Sequence, residues 1–157
     1  MNEYYEIALF ILQRISCTLS AIGSLMIISQ VTRSPFNRSK PQQRLILGLS
    51  ITDFFYSLFL AFAPLLLPTY SGRIWSVGDE TTCSILGFAI QLFKPTGILY
   101  QNSLQSQYLL VIRMGWREGQ VRKIEKYLHL IPWSFGLGTA VAGAVLKLYN
   151  PADFDCW

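Results

Sequence analysis

Residues 83–113, CSILGFAIQLFKPTGILYQNSLQSQYLLVIR, decide the fold. The stretch is mostly apolar, is too long for the core helix of a soluble domain, and carries Lys94 and Pro95 near its middle. A run of this character is expected to cross a bilayer as a helix over residues 84–113, and its polar residues make it the span that carries the site. Cys83 opens it, and one further apolar segment leads to a second cysteine, Cys156, near the end of the chain. The two cysteines are expected on the same side of the membrane, either joined as a disulfide or left as two free thiols at helix ends.

The composition agrees. Of 157 residues, 52% are hydrophobic and only 14% are charged, and the mean hydropathy is +0.35. Such values are ordinary for a polytopic membrane protein and unusual for a soluble domain. The formal net charge of +4 is held in two short basic clusters beside apolar segments. That is the pattern of cytoplasmic loops, so no nucleic-acid partner is expected. Three cysteines are too few for a disulfide scaffold and lack the short paired spacing of a zinc site. Cys17, inside an apolar run, reads as a small packing residue. Glu3 and Glu6 replace the positive start of a cleaved signal peptide, so the N-terminus is expected to remain as the first span.

Working back from the central stretch, residues 68–83 form an outer loop in which Asp79 and Glu80 outweigh Arg73. Residues 45–67 form a span with a single charge, Asp53, and with Pro64, which is expected to kink its outer part. Residues 32–44 carry Arg33, Arg38, Lys40 and Arg44 with no acid, and read as a short basic inner loop. Residues 7–31 form the first span; Arg14 lies near enough to its outer end for the side chain to snorkel to the interface.

Working forward, residues 114–126 are a second basic inner loop, with Trp116 suited to the interfacial belt. Residues 127–149 form a fourth span in which Gly136, Ala140 and Ala144 share one face, a surface on which two helices approach closely in lipid. The tail, residues 150–157, is acidic. The expected fold is therefore an all-α membrane protein of four transmembrane helices in a single region. The basic loops are expected in the cytosol and both termini outside, in a multi-pass protein of the plasma membrane. Glycosylation at Asn37-Arg38-Ser39, in the first basic loop, would invert that orientation.

Within the spans, Asp53 and Lys94 are the charges placed deepest in lipid. Counted from the outer ends they differ in depth by roughly 8 Å at about 1.5 Å per residue, a gap that a lysine side chain and a water largely cover. With Asn102 they form a candidate intramembrane polar network, which either rearranges between two states or is a static pair that orients the helices. Pro95 and Gly97 open a local kink that either lines a cavity or serves packing. Gln101, Asn102, Ser103, Gln105, Ser106, Gln107 and Tyr108 are too hydrophilic to face lipid all round, so partners beyond this chain are expected. Trp133 reads as a packing residue whose indole N–H finds a partner, and His129 as a surface residue near the inner interface. The sequence has no paired intramembrane carboxylates, no serine turn of the nucleophile type, no phosphate-binding glycine loop and no second histidine. Neither an enzyme nor a cofactor is expected.

Four segments in register carry a family resemblance: RLILGLSITDFFYSL at residues 44–58, Cys83, YLLVIRMGWRE at residues 108–118, and IEKYLHLIPWSFGLGTA at residues 124–140 followed by YNPADFDCW. They resemble seven-transmembrane G-protein-coupled-receptor-like proteins of the cAMP-receptor and secretin-like group, in particular the diatom and protist orphan type. The likeness covers nearly the whole chain but only helices one to four of a seven-helix bundle. It implies a bond between Cys83 and Cys156, an acid at Asp53 in the second helix, an unknown extracellular ligand, and a heterotrimeric G protein facing Arg113, Arg117, Arg122 and Lys123. For the last three, orientation and anionic lipid are the simpler role. The chain departs from the rhodopsin-like pattern in reading SQYLLVIR where an acid-Arg-Tyr triplet would stand. The resemblance implies a fragment of a signalling receptor. The rival reading is a complete four-helix membrane scaffold or transporter half that works as an oligomer, dimerising through the small-residue face of the fourth span.

Overall fold

The computed structural model describes residues 3–71 and 76–150 together with Cys156. Arg73 of the expected outer loop and most of the expected acidic tail lie outside the described residues. The chain forms α1 (Glu3–Arg33), α2 (Pro35–Ser39), α3 (Pro41–Leu66), α4 (Glu80–Tyr108) and α5 (Glu118–Val145). Four of these, all but α2, are long and apolar enough to cross a membrane. The shortest of the four, α3, has 26 residues, about 39 Å at 1.5 Å per residue against a hydrocarbon core of about 30 Å. The chain is a multi-pass, all-α membrane protein.

Local chemistry sets the boundaries. Proline occupies the first helical position of both α2 and α3, where its fixed φ suits a helix start and its missing N–H removes no helical bond. The first basic loop is therefore not irregular throughout: α2 fills it, with Ser34 capping the Asn37 N–H. α4 begins with a reciprocal cap. Asp79 accepts from the Thr82 N–H at 2.7 Å while the Thr82 hydroxyl accepts from the Asp79 N–H at 2.8 Å. The same Thr82 hydroxyl donates to the Leu66 carbonyl, 3.0 Å away, and so ties α4 to the end of α3. At its other end α4 widens into a π-helical turn, Leu109–Arg113, and Gly115 at φ +66 reverses the chain into α5. The third span is thus α-helical only as far as Tyr108.

α1, α3, α4 and α5 pack in sequence order, each against the next, and α3 also touches α5. In the most apolar window of α4 39% of residues are buried, against 11% in α1, so the third span is the most buried of the four. Apolar residues turned away from the bundle, among them Leu12, Leu19, Met26, Leu130 and Phe135, are exposed and form a lipid-facing surface. Leu67, Cys83, Leu86, Ile90 and Cys156 form a buried cluster at the end of the bundle where α3 stops and α4 starts.

Two helix-interior prolines show how backbone groups are met without water. Pro64 cannot donate to the Leu60 carbonyl one turn back, and Gln13 Nε2 of α1 donates to that carbonyl at 3.2 Å. Pro132 likewise frees the Leu128 carbonyl, and Ser103 Oγ of α4 lies 3.2 Å from it, its proton shared with the Leu99 carbonyl of its own helix at 2.9 Å. In each case the neighbouring helix supplies the donor that proline removed.

Candidate functional site

The bundle has two ends of different chemistry: a disulfide end, where α3 stops and α4 starts, and a basic end, where α2 and the start of α3 meet the start of α5.

At the disulfide end Cys83 and Cys156 are bonded, with Cα atoms 5.3 Å apart and 73 residues between them in sequence. This bond fixes the segment after α5 to the first turn of α4. Tyr149 completes the join. Its hydroxyl donates to the Ala140 carbonyl at 2.7 Å, and its ring lies between two glycines, so that a Cβ at Gly87 would meet Tyr149 Cδ1 at 2.7 Å and one at Gly143 would meet the hydroxyl at 2.6 Å. Burial pushes the Tyr149 phenol above its ordinary value, which keeps it a neutral donor. Beside it opens a cavity of about 440 Å³, walled by Tyr70, Glu80, Cys83, Ser84, Lys147 and Tyr149. The Asp79 carboxyl, one residue before α4, is held below the ordinary carboxylate range, chiefly by the Thr82 backbone N–H.

Near the basic end a chain of polar contacts joins three spans. Arg44, in the first turns of α3, grips Glu125 of α5 through both Nε and Nη2, the latter at 2.6 Å. Its remaining nitrogen donates to the carbonyls of Arg38 and Ser39 at 3.0 and 3.1 Å. Glu125 lies 3.8 Å from His129 Nε2, and His129 Nδ1 lies 2.9 Å from the hydroxyl of Tyr100 on α4. Trp133 Nε1 donates to that hydroxyl at 3.1 Å. Every group is used when Trp133 donates to Tyr100, Tyr100 to His129 Nδ1, and His129 Nε2–H faces the carboxylate. Tyr100 is buried to 2% exposure, and only a glycine opposite admits it: a Cβ at Gly48 would stand 2.7 Å from its ring.

This chain corrects the reading of His129 as a surface residue, because its ring is held between a carboxylate and a buried phenol. Trp133 does find a partner for its N–H, and Cys17 is buried. Glu125, His129 and Trp133 recur every fourth residue on one face of α5, a signal available in the sequence but not taken up there. Arg44 carried no such signal, standing among other loop arginines.

The expected polar network is not assembled as a unit. Asp53 faces α3's neighbour at Gly97, where an added Cβ would lie 3.3 Å from its Oδ1. Lys94 and Asn102 are exposed and lie two turns apart on another face of α4, with Ile98, Gln101 and Gln105 between and beside them. Among the described residues no ion pair joins Asp53 to Lys94. The reason is rotation about the helix axis: Gly97 opens a groove that Asp53 fills, and Lys94 falls outside that groove. Arg113, in the π turn, is exposed, as are Arg117 and Lys123 at the start of α5. Arg122 is engaged, donating to the Ser39 carbonyl at the end of α2 at 3.0 Å. Arg14 turns back one helical turn so that its guanidinium lies 4.4 Å from the Phe10 ring centre.

The small-residue face of α5 is occupied within the chain. Gly136 and Ala140 are buried, and a Cβ at Gly136 would overlap the Thr96 hydroxyl of α4. Ala144, the third member, is exposed at the wall of the cavity. Dimerisation through this face would have to displace α4.

In comparisons with protein-family models, curated proteins and solved structures, the chain matches none.

Proposed function

We infer that this chain is part of a G-protein-coupled-receptor-like signalling protein, comprising the first four spans of a seven-helix bundle. The disulfide end faces the outside of the plasma membrane, together with the N-terminus, and receives a ligand. The basic end faces the cytosol and a heterotrimeric G protein. The observation that carries this reading is the uncovered stripe of α4, where Lys94, Gln101, Asn102 and Gln105 are exposed at membrane depth. A lysine and three amides turned to lipid are costly, so a stripe of this kind calls for further protein beside the most buried span. Two further features support the orientation. A disulfide forms in an oxidising compartment, and basic loops are retained in the cytosol.

The mechanism is a shift in helix packing between two states. Ligand held between the ends of α4 and α5 biases their relation to α3. The exposed cations at the other end, Arg113, Arg117 and Lys123, present the change to an acidic surface of the transducer.

The test is sequencing of the transcript across the Trp157 codon, followed by nucleotide-exchange assays on the product. Three further apolar segments, and an exchange rate that falls when Arg117 and Lys123 are changed to Ala, support the reading. A reading frame that closes at Trp157, with stable homo-oligomers that cross-link through cysteines placed at Gln101 and Gln105, overturns it in favour of a four-helix scaffold or transporter half.

A further inference from the structure

We propose that the cavity at the disulfide end binds a small zwitterion of amino-acid to dipeptide size, with Lys147 meeting its carboxylate and Glu80 its ammonium group. The proposal rests on the receptor reading only in treating that molecule as the signal.

The cavity holds about 440 Å³, within the range of small-molecule sites. Among the described residues its walls carry one charge of each sign, one from the start of α4 and one from the turn after α5. Glu80 stands in the first turn of α4, and Lys147 lies two residues beyond the end of α5. Among the described residues neither is in an ion pair. A ligand of one charge would satisfy one wall and be repelled by the other, and a neutral apolar ligand would desolvate both. A molecule carrying both charges satisfies both walls.

Lys147 supports this independently. The end of α5 is a Schellman turn: the Leu148 N–H bonds to the Gly143 carbonyl at 3.0 Å and the Lys147 N–H to the Ala144 carbonyl at 3.2 Å. The residue at the centre of such a turn adopts a left-handed conformation, and glycine ordinarily fills it because a Cβ crowds the backbone there. Here it is Lys147, at φ 53. The helix end would form more readily with glycine, yet the residue present is one that delivers an ammonium group to a cavity wall.

The remaining walls are preorganised. Tyr149 is fixed by its bond to Ala140 and by the two glycines around its ring. Glu80 follows the Asp79–Thr82 cap, three residues before the disulfide. A rigid aromatic wall beside Tyr70 suits an aromatic or apolar side chain on the ligand.

The experiment uses the full chain in lipid nanodiscs and measures equilibrium binding of L-phenylalanine and glycyl-L-phenylalanine. Phenethylamine and 3-phenylpropanoate, each bearing one of the two charges, are the comparison probes. At least one zwitterion is expected to bind about tenfold or more tighter than either singly charged probe, as each charge-assisted contact implies. Lys147→Gly relieves the positive φ and keeps the fold. It is expected to weaken the zwitterion about tenfold while leaving phenethylamine unchanged. Glu80→Gln does the converse, sparing 3-phenylpropanoate. Equal binding of all four probes, no binding at millimolar concentration, or a zwitterion indifferent to Lys147→Gly overturns the proposal. No transducer is present, so the two readings fail separately. Zwitterion binding without signalling removes the receptor and keeps the ligand class, whereas signalling to some other ligand without zwitterion binding does the reverse.

Discussion

Removing Arg44 is expected to cost more than removing its partner Glu125, although both changes delete the same ion pair. The asymmetry comes from what each leaves behind. The Arg44 side chain is 31% exposed and keeps two acceptors, the Arg38 and Ser39 carbonyls. Glu125→Ala therefore strands nothing fully, and about 1–2 kcal/mol is expected, the value of a charged hydrogen bond discounted for exposure. The Glu125 side chain is 11% exposed, and after Arg44→Ala its nearest remaining polar contact is His129 at 3.8 Å. A carboxylate left so nearly buried costs about 2–4 kcal/mol, below the 3–5 of a fully enclosed pair. Equilibrium unfolding of the purified chain in mixed micelles, titrated with SDS, measures both. In the double variant the orphaned carboxylate is gone, so a double-mutant cycle is expected to return a coupling of about 1–3 kcal/mol. Equal costs for the two single changes, or a coupling below about 0.5 kcal/mol, would falsify the view that this pair clamps α3 to α5.

Three further outcomes follow from the packing. Gly136→Ala pushes a methyl group into the Thr96 hydroxyl and is expected to destabilise by about 1–3 kcal/mol. Gly138→Ala, with nothing within 4 Å of the added atom, should be neutral or stabilising in the same SDS titration. Ser103→Ala leaves the Leu128 carbonyl without its donor, at a cost of about 0.6–1.5 kcal/mol. In Pro132→Ala that carbonyl regains a backbone N–H, so the cost of Ser103→Ala should shrink; an unchanged cost would show that the hydroxyl serves something else. Asp79 titrates below its ordinary value, so its contribution to the start of α4 is present above the unfolded pKa and fades as pH falls through the folded one. Protection of the first-turn amides of α4 against hydrogen exchange should decline below about pH 4, and Asp79→Asn should flatten that decline.

What the sequence made legible was set by properties that survive averaging over rotation. Apolar length gave the four spans, and the two cysteines, one span apart, gave the disulfide. The polar content of the third apolar stretch marked it as the span that carries the site, and it is the most buried of the four. What it concealed depends on the angle of each helix about its own axis. Asp53 and Lys94 were paired across a depth gap that a lysine side chain and a water largely cover, but Gly97 receives Asp53 and the lysine falls on the stripe with Asn102. The face of Gly136 and Ala140 was correctly read as a close-approach surface. Periodicity names such a face without naming its occupant, which is α4 of the same chain and not a second copy. The contacts of His129 lay hidden for the same reason, since Arg44 is 81 residues from Glu125 and Tyr100 is on a third helix. Neither α2 nor the π turn has a hydropathy signature, because one lies beyond the apolar runs and the other keeps the apolar residues of the helix it widens.

The same contacts locate where the bundle can yield. α4 and α5 are joined along their whole length: by Cys83–Cys156 and Tyr149 at one end, by Thr96 against Gly136 in the middle, and by Ser103, Tyr100, His129 and Trp133 toward the other. Moving one without the other would strand several buried donors. α3 meets this pair differently. Two hydrogen bonds tie its ends to α4, from Thr82 Oγ1 to the Leu66 carbonyl at 3.0 Å and from Gln42 Nε2 to the Tyr108 hydroxyl at 2.7 Å. Its other contacts are the clamp of Arg44 on Glu125, the ring of Tyr100 over Gly48, the carboxylate of Asp53 at Gly97, and Phe93 stacked 5.2 Å from Phe55. Those along the middle of the interface are ring and glycine surfaces, which slide at lower cost than hydrogen bonds break. A displacement begun at the cavity therefore moves α4 and α5 as one body across α3. That motion meets resistance at the Thr82 and Gln42 hydrogen bonds and at Arg44, which is also fastened to the carbonyls that end α2. Weakening the clamp should accordingly loosen α2 and the Arg122 contact with it, before any change reaches the disulfide end.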